Sequence, residues 1–168
     1  MRMIAITATF FLLFAVSASS QQEESVGNTT DDSTRAFLLS AADVAAHAAE
    51  LDASVAYANT TVLERADPAS TTGLAYRLAV DRRTPPQRAA QHAAEAELWA
   101  IVDGSGAITT DGRIVNIVED GQTVGRRIEG GTVHKVSKGD FLVIPEGVPH
   151  QVTEFDPSLL IVTFEFPR

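Results

Sequence analysis

The chain contains no cysteine. Thiol catalysis, disulfides, iron–sulfur clusters and cysteine-ligated zinc are therefore excluded, and any metal ion must be bound through nitrogen and oxygen atoms. Basic residues are also scarce, with 13 lysines and arginines against 22 aspartates and glutamates in 168 residues, a formal net charge of -9. Because an acidic protein is repelled by phosphate backbones, nucleic acid is not an expected partner.

No apolar run is as long as the roughly 20 residues that a membrane-spanning helix needs. The run from Ile4 to Val16 follows a single base, Arg2, and precedes small residues. This pattern predicts a secretory signal peptide over residues 1–20, a secreted or periplasmic mature protein, and no stable membrane insertion after signal cleavage. Residues 21–34 carry four acids and no base, which predicts a disordered acidic lead-in. The remaining residues, 35–168, have the length of one domain.

The folded part is predicted to begin with one helix and to continue as short strands. Ser40 is a suitable N-cap for a helix through residues 41–51. Its predicted apolar stripe consists of Leu38, Val44, Ala45, Ala48 and Leu51. Short runs separated by Gly, Asp and Pro follow, which predicts an antiparallel sandwich or barrel. These runs cover residues 55–65, 73–81, 97–102, 107–110, 114–118, 124–128, 133–136, 141–144, 151–155 and 159–164. Asp-Gly at 111 and at 120 predicts two hairpins.

One segment carries a glycine, five residues, a proline, any residue, a glycine, two residues and a histidine, from Gly139 to His150. Another contains His92 and Glu97, with a glycine seven positions after the glutamate. Over roughly residues 70–165, the two segments resemble the two signature motifs of the cupin superfamily. The chain departs from that pattern at two places: Ala90 replaces the first histidine of the family's His-x-His pair, and Glu154 replaces the terminal asparagine.

The resemblance implies an all-β fold, a cupin-type jelly-roll barrel, here preceded by the short N-terminal helix. It also implies a metal near the barrel centre, commonly bound by three histidines and one glutamate. In this chain His92, Glu97 and His150 match that set, and they suit one divalent transition metal, Mn, Fe, Ni, Co or Zn, with positions left open for water or substrate. Glu95 is an alternative ligand, because it shares a strand face with Glu97. The other alternative is a barrel without metal, in which both histidines are hydrogen-bonded core residues.

Two further residues are candidates for binding a substrate. Arg88 faces the interior together with His92 if the strand is regular, and it would then bind a carboxylate through paired hydrogen bonds. A solvent-facing arginine is the alternative, because Pro85-Pro86 interrupts the chain nearby. Trp99 shares a face with Glu97 and would line the pocket or belong to the core. The remaining histidines and arginine pairs are interpreted as surface features: His47, His134, Arg82-Arg83 and Arg126-Arg127.

The functional hypothesis is a secreted or periplasmic metal-binding cupin that acts on a small organic molecule. Cupins include isomerases, lyases, decarboxylases and oxygenases, so the fold cannot choose among these reactions. The alternative is a barrel that binds a small ligand without converting it, with or without an ion. The resemblance also implies a homodimer, since many small cupins pair through their edge strands.

Overall fold

The computed structural model describes residues 35–70 and 72–167, so the predicted signal peptide and lead-in lie outside the described residues. Ala36–Arg168 form one compact unit. Its elements are α1 (Ala41–Glu50), β1 (Tyr57–Ala66), β2 (Leu74–Arg83), β3 (Glu95–Thr110), β4 (Arg113–Glu119), β5 (Gln122–Glu129), β6 (Thr132–Ser137), β7 (Phe141–Ile144) and β8 (His150–Pro167). The prediction of an all-β fold with one N-terminal helix is confirmed. Within the described ranges, no helix has the length and apolar character to cross a membrane.

The strands form two antiparallel sheets. The larger sheet has the order β1-β2-β8-β3-β6, and β7 pairs with the first part of β3, on the edge that does not pair with β8. The smaller sheet consists of β4 and β5. β3 and β8 pair along almost their full lengths, from Glu95 opposite Pro167 to Thr110 opposite His150. Because the strands are antiparallel, His150 at the start of β8 pairs with the last residue of β3, and Glu95 is the first residue of β3.

Two of the strands are longer than the sequence predicted. Residues 97–102 and 107–110 belong to one strand, β3, and residues 151–155 and 159–164 belong to another, β8. The turn residues between them are absorbed by register shifts in the β3–β8 pairing, which is how a bulge lets a strand continue. Gly104 makes this fit feasible, because it has a φ of +80° and a Cβ there would lie 1.9 Å from the Ser158 carbonyl oxygen.

The two Asp-Gly pairs have the same backbone conformation but different roles. Asp120 and Gly121 have φ values of 50° and 77° and join β4 to β5 in the predicted hairpin. Asp111 and Gly112 have φ values of 65° and 68°, but the hairpin predicted there is wrong. β3 pairs with β6 and β4 pairs with β5, so this turn carries the chain from one sheet to the other.

The helix begins where its N-cap predicts. The Ser40 hydroxyl oxygen accepts from the Asp43 backbone N–H, and the Asp43 carboxylate accepts from the Ser40 backbone N–H, a complete capping box. The predicted apolar stripe is found in part: Ala48 is buried, Val44 and Leu51 are half-buried, and Ala45 is exposed. Leu38 lies before the N-cap and is 79% exposed, so it never joins the helical face. Arg82 fixes the helix to the sheet by donating from Nη2 to the Ala48 carbonyl at 2.8 Å.

The inner face of the larger sheet has an apolar part and a polar part. The buried apolar cluster consists of Trp99, Ile101, Ile108, Val136, Ile144, Val152, Leu159 and Ile161. Cross-strand pairing sets Asp81 beside Ile161, and it sets both Arg77 and Glu97 beside Glu165. The same face that carries the core therefore also carries a layer of buried charged groups, and Glu97 of the first motif lies in that layer.

Candidate metal centre

The second motif positions His150 through a tight turn. Val148 donates its backbone N–H to the Pro145 carbonyl at 3.2 Å, and Gly147 within the turn has a φ of +75°, which favours glycine. β8 then begins at His150, whose backbone exchanges two 2.9 Å hydrogen bonds with Ala90. The backbone of the first motif is thus fixed against the histidine of the second.

The first motif supplies His92, which is bound to the same turn. Gly147 donates its backbone N–H to the His92 carbonyl at 2.7 Å, and the Gln91 side chain donates to the Gly147 carbonyl, also at 2.7 Å. The ring of His92 stacks on that of His150 with centroids 5.3 Å apart. The side chain of His92 is 41% exposed, so this ligand lies at the open side of the centre.

Glu97 completes the group from the inner face of β3. Its Oε1 lies 3.8 Å from Nε2 of His92, and its Oε2 lies 3.3 Å from Nε2 of His150. One ligand atom from each of the three residues lies within 4.8 Å of the others. The three residues that the sequence singles out as metal ligands are therefore brought together by the fold, and they can hold one ion.

The protonation of His150 favours a cation at this position. Its Nδ1 lies 3.2 Å from the Val148 carbonyl oxygen, which can only accept, so Nδ1 carries the proton and donates. Nε2 therefore presents a lone pair toward Glu97 Oε2, a buried oxygen with no hydrogen-bond partner. Two lone pairs that face each other at 3.3 Å need a proton or a metal ion between them. A second hydrogen bond that orients a histidine in this way is typical of metal ligands.

Burial shifts the pKa values of both inner ligands toward their uncharged forms. It raises the pKa of Glu97 to about 7, with Glu165 adding to the rise and Arg83 opposing it. It also lowers the pKa of His150 to about 4. His150 is therefore neutral at pH 7, as a ligand must be, while the buried carboxylate of Glu97 lacks the counter-charge that a bound cation would supply.

The other residues near the motifs take different positions. Glu95 is not part of the three-residue group: its Oε2 lies 3.7 Å from Nδ1 of His92, on the opposite side of that ring from Glu97. Ala90 bridges to His150, so a histidine at position 90 would lie beside the centre. Glu154, which stands in place of the family's asparagine, is largely exposed and pairs with Lys135.

The two predicted substrate-binding residues lie in different environments, Arg88 at the surface and Trp99 in the core. The expected inward orientation of Arg88 is not found, because residues 84–89 form no strand and the buried neighbour is Ala89. Arg88 is exposed and donates from Nη2 to the Val124 carbonyl at 3.0 Å. Trp99 is fully buried in the core, and its ring meets that of His150 edge-on with centroids 5.4 Å apart. Trp99 therefore belongs to the core and also packs against His150, one of the candidate metal ligands.

The surface interpretation of His47 and His134 also needs correction. Both side chains are half-buried, and His134 places Nε2 2.9 Å from the Thr110 hydroxyl. Neither histidine belongs to the ligand group.

Sequence analysis missed a second group of charged residues on β2. Arg83, interpreted as part of a solvated turn, has a side chain only 15% exposed and donates from Nη2 to Asp81 Oδ2 at 3.0 Å. Further along the strand, Arg77 binds Glu165 with Nε and Nη2 at 2.8 and 2.5 Å. The signal was present in the alternation of charged residues at positions 77, 81 and 83. It was missed because the strand was predicted to end at residue 81.

No protein-family model matches the chain, and no curated protein matches its sequence. Among solved structures, it is similar to KdgF from Halomonas sp. at 16% identity and a TM-score of 0.44, covering 70% of this chain and 85% of that one. It is similar to the cupin domain of Schizosaccharomyces pombe Cnp3 at 7% identity and a TM-score of 0.46, covering 72% of each chain. It is also similar to the DMSP lyase DddQ from Ruegeria pomeroyi DSS-3 at 16% identity and a TM-score of 0.45, covering 70% of this chain and 51% of that one.

Similarity at this level of identity concerns the fold alone. Within the chain itself, both motifs lie in one antiparallel structure, and their hydrogen bonds to one another bring His92, Glu97 and His150 together. The chain therefore has an antiparallel all-β fold with one N-terminal helix, in which the two motifs meet as the resemblance predicts.

Proposed function

We propose that this protein is a metal-dependent cupin that acts on a small organic molecule outside the cytoplasm. The observation that carries the proposal is the convergence of His92, Glu97 and His150, with an unpartnered carboxylate oxygen facing the lone pair of His150. Two imidazoles and one carboxylate suit Mn, Fe, Co, Ni or Zn as divalent ions. Three protein ligands leave coordination positions for a substrate.

The residues around the ion have two roles: some would hold it in place, and others would leave it accessible to a small molecule. A divalent ion held here would act as a Lewis acid on a substrate oxygen. His150 is fixed by the Val148 carbonyl and the edge of Trp99, so it holds its orientation while other groups exchange. His92 lies half-exposed on the other side of Glu97, next to the alanine that replaces the family's additional histidine. A small molecule would therefore approach from the side of His92 and Ala90.

The second candidate function is a barrel that binds a small ligand without a metal and without converting it. Its support is the pKa of about 7 for Glu97. A protonated Glu97 would donate from Oε2 to Nε2 of His150 and satisfy both atoms with a shared proton instead of an ion. Ala90 also favours this candidate, because the chain has one fewer ligand than the usual cupin set.

Metal analysis separates the two candidates. Protein purified without chelator is dialysed against each of Mn²⁺, Fe²⁺, Co²⁺, Ni²⁺ and Zn²⁺, and the bound metal is measured for the wild type, for His150→Ala and for the control His47→Ala, which changes a histidine on α1. The proposal expects about one equivalent in the wild type and the control, and none in His150→Ala. A wild type that binds none of the five ions would support the metal-free barrel.

The cellular location and the oligomeric state are proposals as well. Export rests on the predicted signal peptide over residues 1–20, and the N-terminal sequence of protein recovered from a secreting host tests it. An intact Met1 would contradict export. The homodimer rests on the cupin resemblance, and sedimentation of the mature chain would show one protomer or two.

A further inference from the structure

A second buried polar cluster lies on the inner face beside the metal centre. It consists of Asp81 and Arg83 on β2, Thr163 on β8, and the rings of Tyr57 on β1 and Trp99 on β3. Asp81 is 1% exposed, and its Oδ2 accepts from Arg83 at 3.0 Å and from the Thr163 hydroxyl at 2.9 Å. Burying a charged pair on an inner face costs free energy unless its polar atoms are hydrogen-bonded. Buried atoms of the pair that have no hydrogen-bond partner therefore need an explanation.

Most of that capacity is unused. Arg83 has five N–H donors, and its Nε is buried without a hydrogen-bond partner. Oδ1 of Asp81 and Nε1 of Trp99 are also buried and have no hydrogen-bond partner. Together with Oε2 of Glu97, these atoms form a group of unpaired donors and acceptors on one face of the sheet. Buried polar groups are normally satisfied, so this group indicates a place where a polar ligand binds.

Arg83 is held in place by its neighbours. Its Cζ lies 4.1 Å from the centroid of Tyr57 and 4.9 Å from that of Trp99, both within the range of a cation–π contact. Tyr57 is 45% exposed, whereas Trp99 is fully buried. The guanidinium is therefore fixed between an inner wall and a rim that solvent reaches, and a ligand would bind without first having to order it.

The cluster is connected to the metal centre through Trp99. The same indole that contacts Arg83 meets the ring of His150 edge-on at 5.4 Å. The guanidinium of Arg83 and the ring of His150 thus contact the same indole.

We propose that Arg83 binds the carboxylate of a small carboxylic acid, and that such acids are the ligands of this barrel. The geometry favours this class, because a planar guanidinium with spare donors matches a carboxylate through paired hydrogen bonds. The approach of a further oxygen of the acid, such as the hydroxyl of glycolate, to the ion rests on the proposed function; the contact with Arg83 does not.

The emission of Trp99, the only tryptophan in the chain, reports on this contact directly. Wild-type protein, with and without metal, is titrated with acetate, glycolate and 3-hydroxypropionate, and with acetamide, glycolamide and 3-hydroxypropionamide as neutral counterparts. The same titrations are run on Arg83→Gln, Arg83→Lys and Asp81→Asn. Arg88→Gln is the matched control, because Arg88 is an exposed arginine on the same segment of chain that does not contact the cluster.

Arg83→Gln is expected to weaken binding of the acids roughly ten- to hundredfold and to leave the amides unchanged, since it removes a charge-assisted hydrogen bond. Arg83→Lys should weaken acid binding less than Arg83→Gln does, because lysine keeps the positive charge but cannot form the paired hydrogen bonds of a guanidinium. Asp81→Asn should tighten acid binding, because Arg83 loses its competing carboxylate. Arg88→Gln should match the wild type. Equal binding of acids and amides, or acid binding that ignores Arg83→Gln and Asp81→Asn, would overturn the proposal.

Failure of the proposed function has a different signature. A protein that binds no metal but still binds acids through Arg83 would retain this inference and lose the metal. A protein that binds one metal through His150, but whose acid binding is unchanged in Arg83→Gln, would retain the proposed metal centre and lose this inference. If Arg83→Gln does not fold, thermal unfolding will show it, and the opposite shifts expected for Arg83→Lys and Asp81→Asn still decide the question.

Discussion

The two histidines of the candidate centre are held very differently. The side chain of His150 is 4% exposed, with Nδ1 bound to a carbonyl and its ring against Trp99. The side chain of His92 is 41% exposed, and its Nδ1 faces Glu95 at 3.7 Å, beyond hydrogen-bonding distance. Each histidine comes from one of the two motifs, so the contrast is also one between the motifs.

Because of this difference, we expect the two histidines to have different roles in the site. The second motif supplies a ligand whose orientation is fixed before any ion or substrate binds, which reduces the cost of binding. The first motif supplies a ligand that solvent can reach, beside the position where Ala90 has replaced a histidine. We therefore expect the His150 side to determine whether the ion binds, and the His92 side to determine what else reaches it.

Replacing each histidine by alanine should show the largest difference. His150→Ala removes a buried ring and a ligand, so we expect metal binding to be lost and the free energy of unfolding of the metal-free protein to fall by about 2–4 kcal/mol. His92→Ala should weaken metal binding but change that free energy by only about 0.5 kcal/mol, because its side chain is partly in solvent. Calorimetric metal titration and urea unfolding measure the two quantities. Equal losses of stability would contradict the asymmetry.

The pH dependence of metal affinity tests the buried half of the centre. In the metal-free protein Glu97 has a pKa of about 7, so below pH 7 an ion must displace its proton. His150 has a pKa of about 4 and is already neutral above that value. Affinity should therefore fall as the pH drops from 7 to 5, by a factor that approaches about tenfold per pH unit, and binding should release a proton. Titrations in buffers of different ionisation enthalpy count that proton, and an affinity that stays constant over this range would contradict the assignment of Glu97.

Restoring the missing ligand should reduce the contrast between the two sides. Ala90 bridges to His150, so Ala90→His would place an imidazole beside the centre and complete the set that cupins commonly use. We expect the metal to bind roughly tenfold more tightly or better. Competition with a metal indicator measures the change, and Ala89→Ser, at the neighbouring position, serves as the control for altering this segment. An unchanged affinity would show that position 90 does not face the ion.

The smallest effect is expected at Glu95. If this carboxylate supports His92 from the Nδ1 side, Glu95→Gln should weaken metal binding by only a few-fold, because a partly solvated ion pair at 3.7 Å contributes little. Glu154→Gln, which removes another exposed acid, should have no effect. A loss as large as that caused by His150→Ala would instead make Glu95 a ligand.

The convergence of the three candidate metal ligands could be predicted from the sequence because their placement depends on short segments. The spacing from Gly139 to His150 specifies a strand, a turn and a histidine, and Gly147 then binds the backbone of His92 to that turn. The partners of these residues are few and local, and the resemblance to known motifs supplied the rest.

The neighbouring cluster depends on contacts that no short segment contains. Arg83 lies two residues beyond the predicted end of β2, and only pairing with β1 and β8 keeps the strand extended that far. An inward orientation of Arg88 depended on a regular strand, but its segment is irregular and buries Ala89, so the solvent-facing alternative is found. Likewise, Asp103 and Gly104 are typical of a turn, yet the long β3–β8 pairing turns them into a bulge. Tertiary pairing decided each of these cases.

The most direct test of the candidate metal centre is the anomalous scattering of crystals grown with Mn²⁺ or Zn²⁺. One strong peak is expected between His92 Nε2, His150 Nε2 and the carboxylate of Glu97, at about 2.0–2.2 Å from the ligand atoms. The peak should be absent in His150→Ala. Wild-type crystals without a peak at this position, or with the ion bound elsewhere, would contradict the claim that the two motifs form a metal centre.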